Sequence, residues 1–124
     1  MSKNILIIED EIHQRTVLRF DMNKIGFSTF EAETGEKGIE IAALKKVDVI
    51  ILDIMLPDID GFEVCRRLKS HEKTKDIPVI VLTALFQQEN INKAKECGVA
   101  EYIVKPYNFE YLHQTIVNLV GRPL

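Results

Sequence analysis

Apolar residues fall into two alternating rhythms along this chain. Some stretches, such as Ile5-Leu6-Ile7-Ile8 and Val49-Ile50-Ile51-Leu52, are branched and continuous, with no polar residue in between. That pattern belongs to strands buried on both faces. In other stretches apolar residues recur every three or four positions, the helical rhythm. The continuous runs predict strands over 4–8, 27–31, 49–52, 77–82 and 101–104. The second of these, Phe-Ser-Thr-Phe-Glu, is mixed in polarity and belongs nearer a sheet edge. The fourth opens with Ile77-Pro78, where proline is tolerated near a strand's first residue. The helical rhythm fills the gaps. A first helix carries Val17, Leu18, Met22 and Ile25 on one face and stops at Gly26. A second covers 36–45 with Ile39, Ala42 and Ala43 inward, and Gly38 in its interior costs ~1 kcal/mol relative to alanine. A third opens at Asp60, an N-cap with Glu63 as its return partner. It turns Val64 and Leu68 inward and Arg66, Arg67 and Lys69 outward. A fourth runs over 87–97 and stops at Gly98. The last is capped by Asn108 and carries Phe109, Leu112, Ile116 and Leu119 inward as far as Val120. Strand and helix alternate five times, which specifies an α/β fold: a doubly wound five-stranded parallel sheet with helices on both faces.

Composition narrows the partners. The 124 residues make one domain, without repeats or linkers. A net charge of -3 argues against direct nucleic-acid binding, which favours a basic excess. No apolar run approaches the ~20 residues of a membrane span. The chain turns acidic at Glu9-Asp10 after one short apolar run, which is no signal peptide. Cys65 and Cys97 have neither CxxC nor zinc spacing and are expected as buried or half-buried thiols in a reducing, cytoplasmic setting.

The candidate chemistry gathers at the carboxyl ends of the strands. The first strand ends in Glu9-Asp10, the third in Asp53, the fourth in Thr83 and the fifth in Lys105. In this topology those ends share one edge of the sheet, where ligands bind. Three carboxylates in one place repel unless cations sit among them. Lys105 supplies one charge, and a divalent metal supplies the rest. Oxygen donors without His or Cys select a hard cation, and Mg²⁺ fits because it takes few carboxylates and recruits phosphate oxygens. A carboxylate beside Mg²⁺, an ammonium and a hydroxyl can accept a phosphoryl group as an acyl phosphate. Asp53 is then the nucleophile. Asp10 binds the metal directly and Glu9 through a metal-bound water. Lys105 and Thr83 bind phosphoryl oxygens.

Glu9-Asp10, Asp53 with Met55, Pro57 and Gly61 after it, Thr83-Ala84, Tyr102 and Lys105-Pro106 together resemble the receiver domain of two-component response regulators, across essentially the whole chain. The resemblance implies a flavodoxin-like sheet flanked by five helices, spanning residues 1–124 as a single receiver domain without an output domain, of the stand-alone chemotaxis or sporulation-relay type. It implies that a sensor histidine kinase or phosphotransfer protein donates a phosphoryl group to Asp53, and that the backbone carbonyl of Met55 completes the Mg²⁺ site. It also implies a cis bond before Pro106. On phosphorylation Thr83 would move toward the phosphoryl group and the ring of Tyr102 would turn into the vacated space. The fourth helix, fifth strand and last helix would then offer a downstream protein a changed face. Such a protein is a phospho-acceptor, not an enzyme, assisting only its own phosphorylation and dephosphorylation.

Departures from the family pattern refine the picture. Met55 and Leu85 flank the phosphoryl position, and neither can orient an attacking water, so self-dephosphorylation should be slow. Tyr107 stands where phenylalanine is frequent. Helix residues 108–120 contain no Lys or Arg, which speaks against the branch with winged-helix DNA-binding outputs. His13 and Gln14 are candidate kinase contacts, and Tyr111 is either a partner contact or a lone exposed aromatic. Three alternatives stay open. A Mg²⁺-dependent aspartyl phosphohydrolase would want an acid where Met55 stands. A flavin module would be repelled by Glu9-Asp10-Glu11. The receiver could also belong to a longer transcriptional or enzymatic regulator.

Overall fold

The computed structural model describes residues 3–123, and in it the continuous apolar runs become one parallel sheet. Strands β1 (Asn4–Ile8), β2 (Ser28–Ala32), β3 (Val49–Leu52), β4 (Val79–Thr83) and β5 (Glu101–Val104) lie in the order β2-β1-β3-β4-β5. Helices α1 (Ile12–Lys24), α2 (Gly35–Leu44), α3 (Gly61–Ser70) and α4 (Gln88–Glu96) make the four crossovers, and α5 (Phe109–Val120) follows the last strand. The mixed-polarity β2 is an edge strand, as its sequence predicts. The chain winds outward in opposite directions from β1 and β3, and the crevice between their carboxyl ends is a topological switch point.

Alternating side chains of the buried strands build a core on each face. Ile5, Ile7, Ile51 and Leu82 pack with Leu18 and Met22 of α1 and with Leu112 and Ile116 of α5. Leu6, Ile8, Ile50 and Leu52 pack with Ala42 of α2 and with Val64 and Leu68 of α3. Each such side chain, fully buried, contributes about 1.5–3 kcal/mol. Helix α4 is seated differently: it contributes Ala94 to a small separate cluster with Ile54 and Val81.

Several details differ from the sequence reading. On α1 Val17 is 56% exposed, and the inward stripe is Arg15, Leu18 and Met22. On α5 Leu119 is 39% exposed, while Leu112 and Ile116 are fully buried. Ile39 and Ala43 of α2 are only half-buried. Strand β2 starts one residue later than expected and β4 two residues later, because Ile77-Pro78 precede the paired segment. Asp60 caps α3 by accepting the Glu63 N–H at 2.9 Å, but the Glu63 carboxylate turns to Arg66 and Arg67 rather than back to the cap. Lys69 is not simply outward; its ammonium reaches the Ile77 carbonyl at 3.0 Å. Gly38 has a reason to interrupt α2: a Cβ there would lie 2.4 Å from Cδ1 of Ile8. Among the described residues no helix is long and apolar enough to cross a membrane.

Candidate functional site

Register places the chemistry. Ile8 pairs with Leu52, so Glu9 and Asp53 leave the sheet side by side, and the Asp53 N–H still donates to the Ile8 carbonyl at 3.0 Å. Thr83 pairs with Val104, so Lys105 emerges next to Thr83, its N–H donating to the Thr83 carbonyl at 2.7 Å. The Lys105–Pro106 bond is cis.

The Lys105 ammonium stands between two buried carboxylates. It donates to Oδ2 of Asp53 at 2.8 Å and to Oε1 of Glu9 at 2.5 Å, and also to Oε1 of Gln14. Asp53 is 6% exposed and Glu9 5%. The second oxygen of each carboxylate is also engaged. Oδ1 of Asp53 accepts from the Met55 N–H at 2.9 Å, and Oε2 of Glu9 from the Glu11 N–H at 3.0 Å. One ammonium shared by two carboxylates leaves negative charge in excess. Burial pushes the Glu9 carboxyl above its ordinary range, against the pull of Lys105 and the Glu11 amide. Burial also works against the Lys105 charge, but its bonds to Asp53 and Glu9 outweigh that and raise its pKa.

Beside this pair opens a cleft of about 600 Å³, lined by Asp10, Met55, Phe62, Leu85 and Lys93 among others. Asp10 and Met55 are exposed at its edge. Thr83 is fully buried, and its hydroxyl oxygen accepts from the Leu85 N–H at 3.5 Å. The Tyr102 hydroxyl donates to the Leu85 carbonyl at 2.8 Å. Thr83 and Tyr102 therefore meet on one residue, Leu85.

The fold brings Glu9, Asp53 and Lys105 into direct contact, sets Asp10 and Met55 at the cleft, and joins Thr83 to Tyr102 through Leu85. Among the described residues no three His, Cys, Asp or Glu side chains close on a common point; the Lys105 ammonium stands between Glu9 and Asp53. The donors available to a cation are all oxygen, and the excess negative charge calls for one, so the residues fit a hard divalent ion.

Sequence reasoning missed the roles of four residues, two of which, Gln14 and Tyr107, it had singled out for other reasons. Gln14 is a third acceptor for Lys105. Arg15 is buried beneath the acids: Nη1 donates to the carbonyls of Glu9 at 2.9 Å and Asp10 at 3.4 Å, and Nε to Glu31 at 3.2 Å. Its place three residues before Leu18 and seven before Met22, on the inward stripe, was the available signal. Asp58 accepts the N–H groups of Gly35 and Glu36 at 2.8 and 2.9 Å, fastening the loop after Asp53 to the start of α2. Tyr107, where phenylalanine is frequent, donates to Asp21 of α1 at 2.7 Å. His13 is exposed at the start of α1, and the hydroxyl of the half-exposed Tyr111 rests on Glu101 at 2.7 Å.

Residues 5–117 match the response regulator receiver domain family. Over 118 residues the chain is 36% identical to the DNA-binding dual master transcriptional regulator RpaA of Synechocystis sp., covering 95% of this chain and 49% of the relative. Over 108 residues it is 38% identical to the phosphate regulon transcriptional regulatory protein PhoB of Pseudomonas aeruginosa, covering 87% and 47%. The chain thus spans about half the length of these curated relatives. Among solved structures it resembles a putative response regulator from Chloroflexus aurantiacus, with a TM-score of 0.92, 27% identity and coverage of 98% and 100%. It also resembles the receiver domain of a Pseudomonas aeruginosa sensor histidine kinase, a structure with a magnesium ion coordinated in its active-site cleft, with a TM-score of 0.90, 25% identity and coverage of 98% and 99%.

Proposed function

This chain belongs to the response regulator receiver domain family, a phospho-accepting signalling switch rather than an enzyme, and from that premise we propose that Asp53 is the acceptor, in a Mg²⁺-dependent reaction with a sensor histidine kinase or phosphotransfer protein. The carrying observation is the Lys105 ammonium shared between the buried carboxylates of Asp53 and Glu9. Glu9, Asp10, Asp53 and the Met55 carbonyl would hold the Mg²⁺. The ion supplies charge neutralisation for the incoming phosphoryl oxygens.

An oxygen of Asp53 forms the new bond to phosphorus as the phosphorus–nitrogen bond of the donor histidine breaks, with the electron pair leaving on the imidazole. Asp53 is preorganised for this, because the Met55 N–H holds one oxygen and Lys105 the other. Lys105 then transfers its hydrogen bond to a phosphoryl oxygen, stabilising charge in place. In the resting state the Thr83 hydroxyl oxygen accepts from the Leu85 N–H, and among the described residues its proton has no acceptor, so it can donate to a phosphoryl oxygen. As Thr83 moves, the Leu85 amide is released and Tyr102 lets go of the Leu85 carbonyl, turning inward. Helix α4, β5 and α5 then present a changed face to a downstream protein. The proposal puts the chain in the cytoplasm, acting on protein rather than on nucleic acid directly.

The test is incubation with acetyl phosphate and Mg²⁺, read by intact mass. Wild type gains one phosphoryl group, while Asp53→Ala and wild type in EDTA gain none. Equal labelling of Asp53→Ala overturns the assignment. Met55 and Leu85 line the cleft without a side-chain oxygen or nitrogen to orient water. Phospho-Asp53 should therefore outlast minutes once donor is removed, and decay within seconds in Mg²⁺ buffer overturns that part.

A further inference from the structure

Resting on that reading, we infer that Arg15 is a positioning residue for cation capture, holding the turn that lets two consecutive acids serve one site. The difficulty it answers is geometric. Successive side chains of a strand point to opposite faces, so Glu9 and Asp10 could not both reach one cleft if β1 simply continued. The strand ends at Ile8. The Glu9 N–H still donates to the Ala32 carbonyl at 3.0 Å, as a strand residue's would. Beyond that point the pattern breaks. The carbonyls of Glu9 and Asp10 both accept from the same nitrogen, Nη1 of Arg15, at 2.9 and 3.4 Å. In an extended chain successive carbonyls point to opposite sides, so this shared donor fixes the departure from the strand. After it, Glu9 faces Lys105 and Asp10 lines the cleft beside Met55.

Arg15 acts through shape more than charge. Its side chain is 11% exposed, and its Nε is paired with Glu31 on β2 at 3.2 Å. Glu31 also meets Arg19 at 3.5 Å. The positive charge is thus neutralised from the edge strand, and the guanidinium's fork, which a lysine lacks, lets Nε hold Glu31 while Nη1 holds the two carbonyls. A side chain that orients ligand-bearing backbone in this way typically changes metal affinity by about 10–100-fold when removed.

The experiment measures Mg²⁺ affinity of the unphosphorylated chain by calorimetric titration, together with the thermal midpoint. The variants are wild type, Arg15→Ala, Arg15→Lys and Ile116→Val, the last a core change on α5 away from the site. We expect Arg15→Ala to bind Mg²⁺ about 10–100-fold more weakly, while acetyl phosphate labelling approaches the wild-type rate at saturating Mg²⁺. Arg15→Lys keeps the charge without the fork and should stay closer to Arg15→Ala than to wild type. It also carries the test if Arg15→Ala does not fold. Ile116→Val should lower the midpoint and leave Mg²⁺ affinity unchanged. Wild-type affinity in a folded Arg15 variant, or an equal loss in Ile116→Val, overturns the inference and leaves the proposed function standing. A wild-type chain that takes up no Mg²⁺ sinks the proposed function and this inference with it.

Discussion

The two walls of the cleft are built on opposite plans. On the β1–β3 side the groups under the cleft are pinned: Asp53, Glu9 and Arg15 are buried, and each makes two or more hydrogen bonds, with Asp10 exposed at the edge. On the β4–α4 side the attachments are few. Phe86 is 70% exposed, Ala94 is the one buried residue of α4, and the N-cap residue Gln87 makes no side-chain capping bond. The Thr83 backbone belongs to the sheet, but among the described residues its hydroxyl is held by one long contact, to the Leu85 N–H at 3.5 Å. The contrast assigns labour: chemistry needs groups that do not move, whereas a signal needs an element whose opening is cheap. Both demands are met within one cleft by packing one wall tightly and the other loosely.

The sharpest way to break that contrast is to damage each wall in turn. Ile8→Ala, under the pinned wall, should lower stability by about 2–5 kcal/mol. Ala94→Gly, under the loose wall, should lower it by about 1 kcal/mol. Urea unfolding of the two variants reads the difference directly, and equal losses would remove the distinction. Next in size is Lys105→Met, which leaves two buried carboxylates facing each other without their cation. Labelling by acetyl phosphate should slow by about 100-fold, as when a preorganised transition-state donor is lost. The corresponding change on the loose wall, Tyr102→Phe, should leave the labelling rate near wild type, since its hydroxyl touches only the Leu85 carbonyl.

The smallest effect sharpens the electrostatic side of the contrast. In the metal-free chain Glu9 titrates above its ordinary 4.5 because it is buried. The folded protein therefore holds that proton more tightly than the unfolded one. The resulting stability is complete below 4.5 and is lost as pH rises through the folded value. Thermal midpoints in EDTA should fall across the mildly acidic range for wild type and fall less for Glu9→Gln. Parallel curves would show that Glu9 carries no such linkage.

The sheet was legible because its signal is strong and local: uninterrupted branched runs with polar residues at their ends. The same feature made the site legible. A strand that is wholly apolar until Asp53 announces where it leaves the core, and parallel winding collects such ends on one edge. What stayed hidden has other causes. The α1 stripe went to Val17 because hydropathy ranks a guanidinium as an outward group, yet Arg15 finds acceptors in Glu9, Asp10 and Glu31 that offset its desolvation. Leu119 has the spacing of an inward residue but lies near the end of α5, where exposure rises. Asp58 and Gln14 act on residues far along the chain, and no periodicity records a partner at that distance. Tyr102 was marked by the family resemblance, but its backbone partner at Leu85 has no sequence signature.

Gly38 shows how far from the cleft its geometry is set. The missing side chain lets α2 lie directly against Ile8, the residue before Glu9, and the start of the same helix is clasped by Asp58 from the loop that follows Asp53. A methyl group at that point would wedge helix and strand apart and drag both acid-bearing segments with it. In a screen for variants that fold but fail to signal, position 38 should therefore appear among the losses, although it carries no functional group at all.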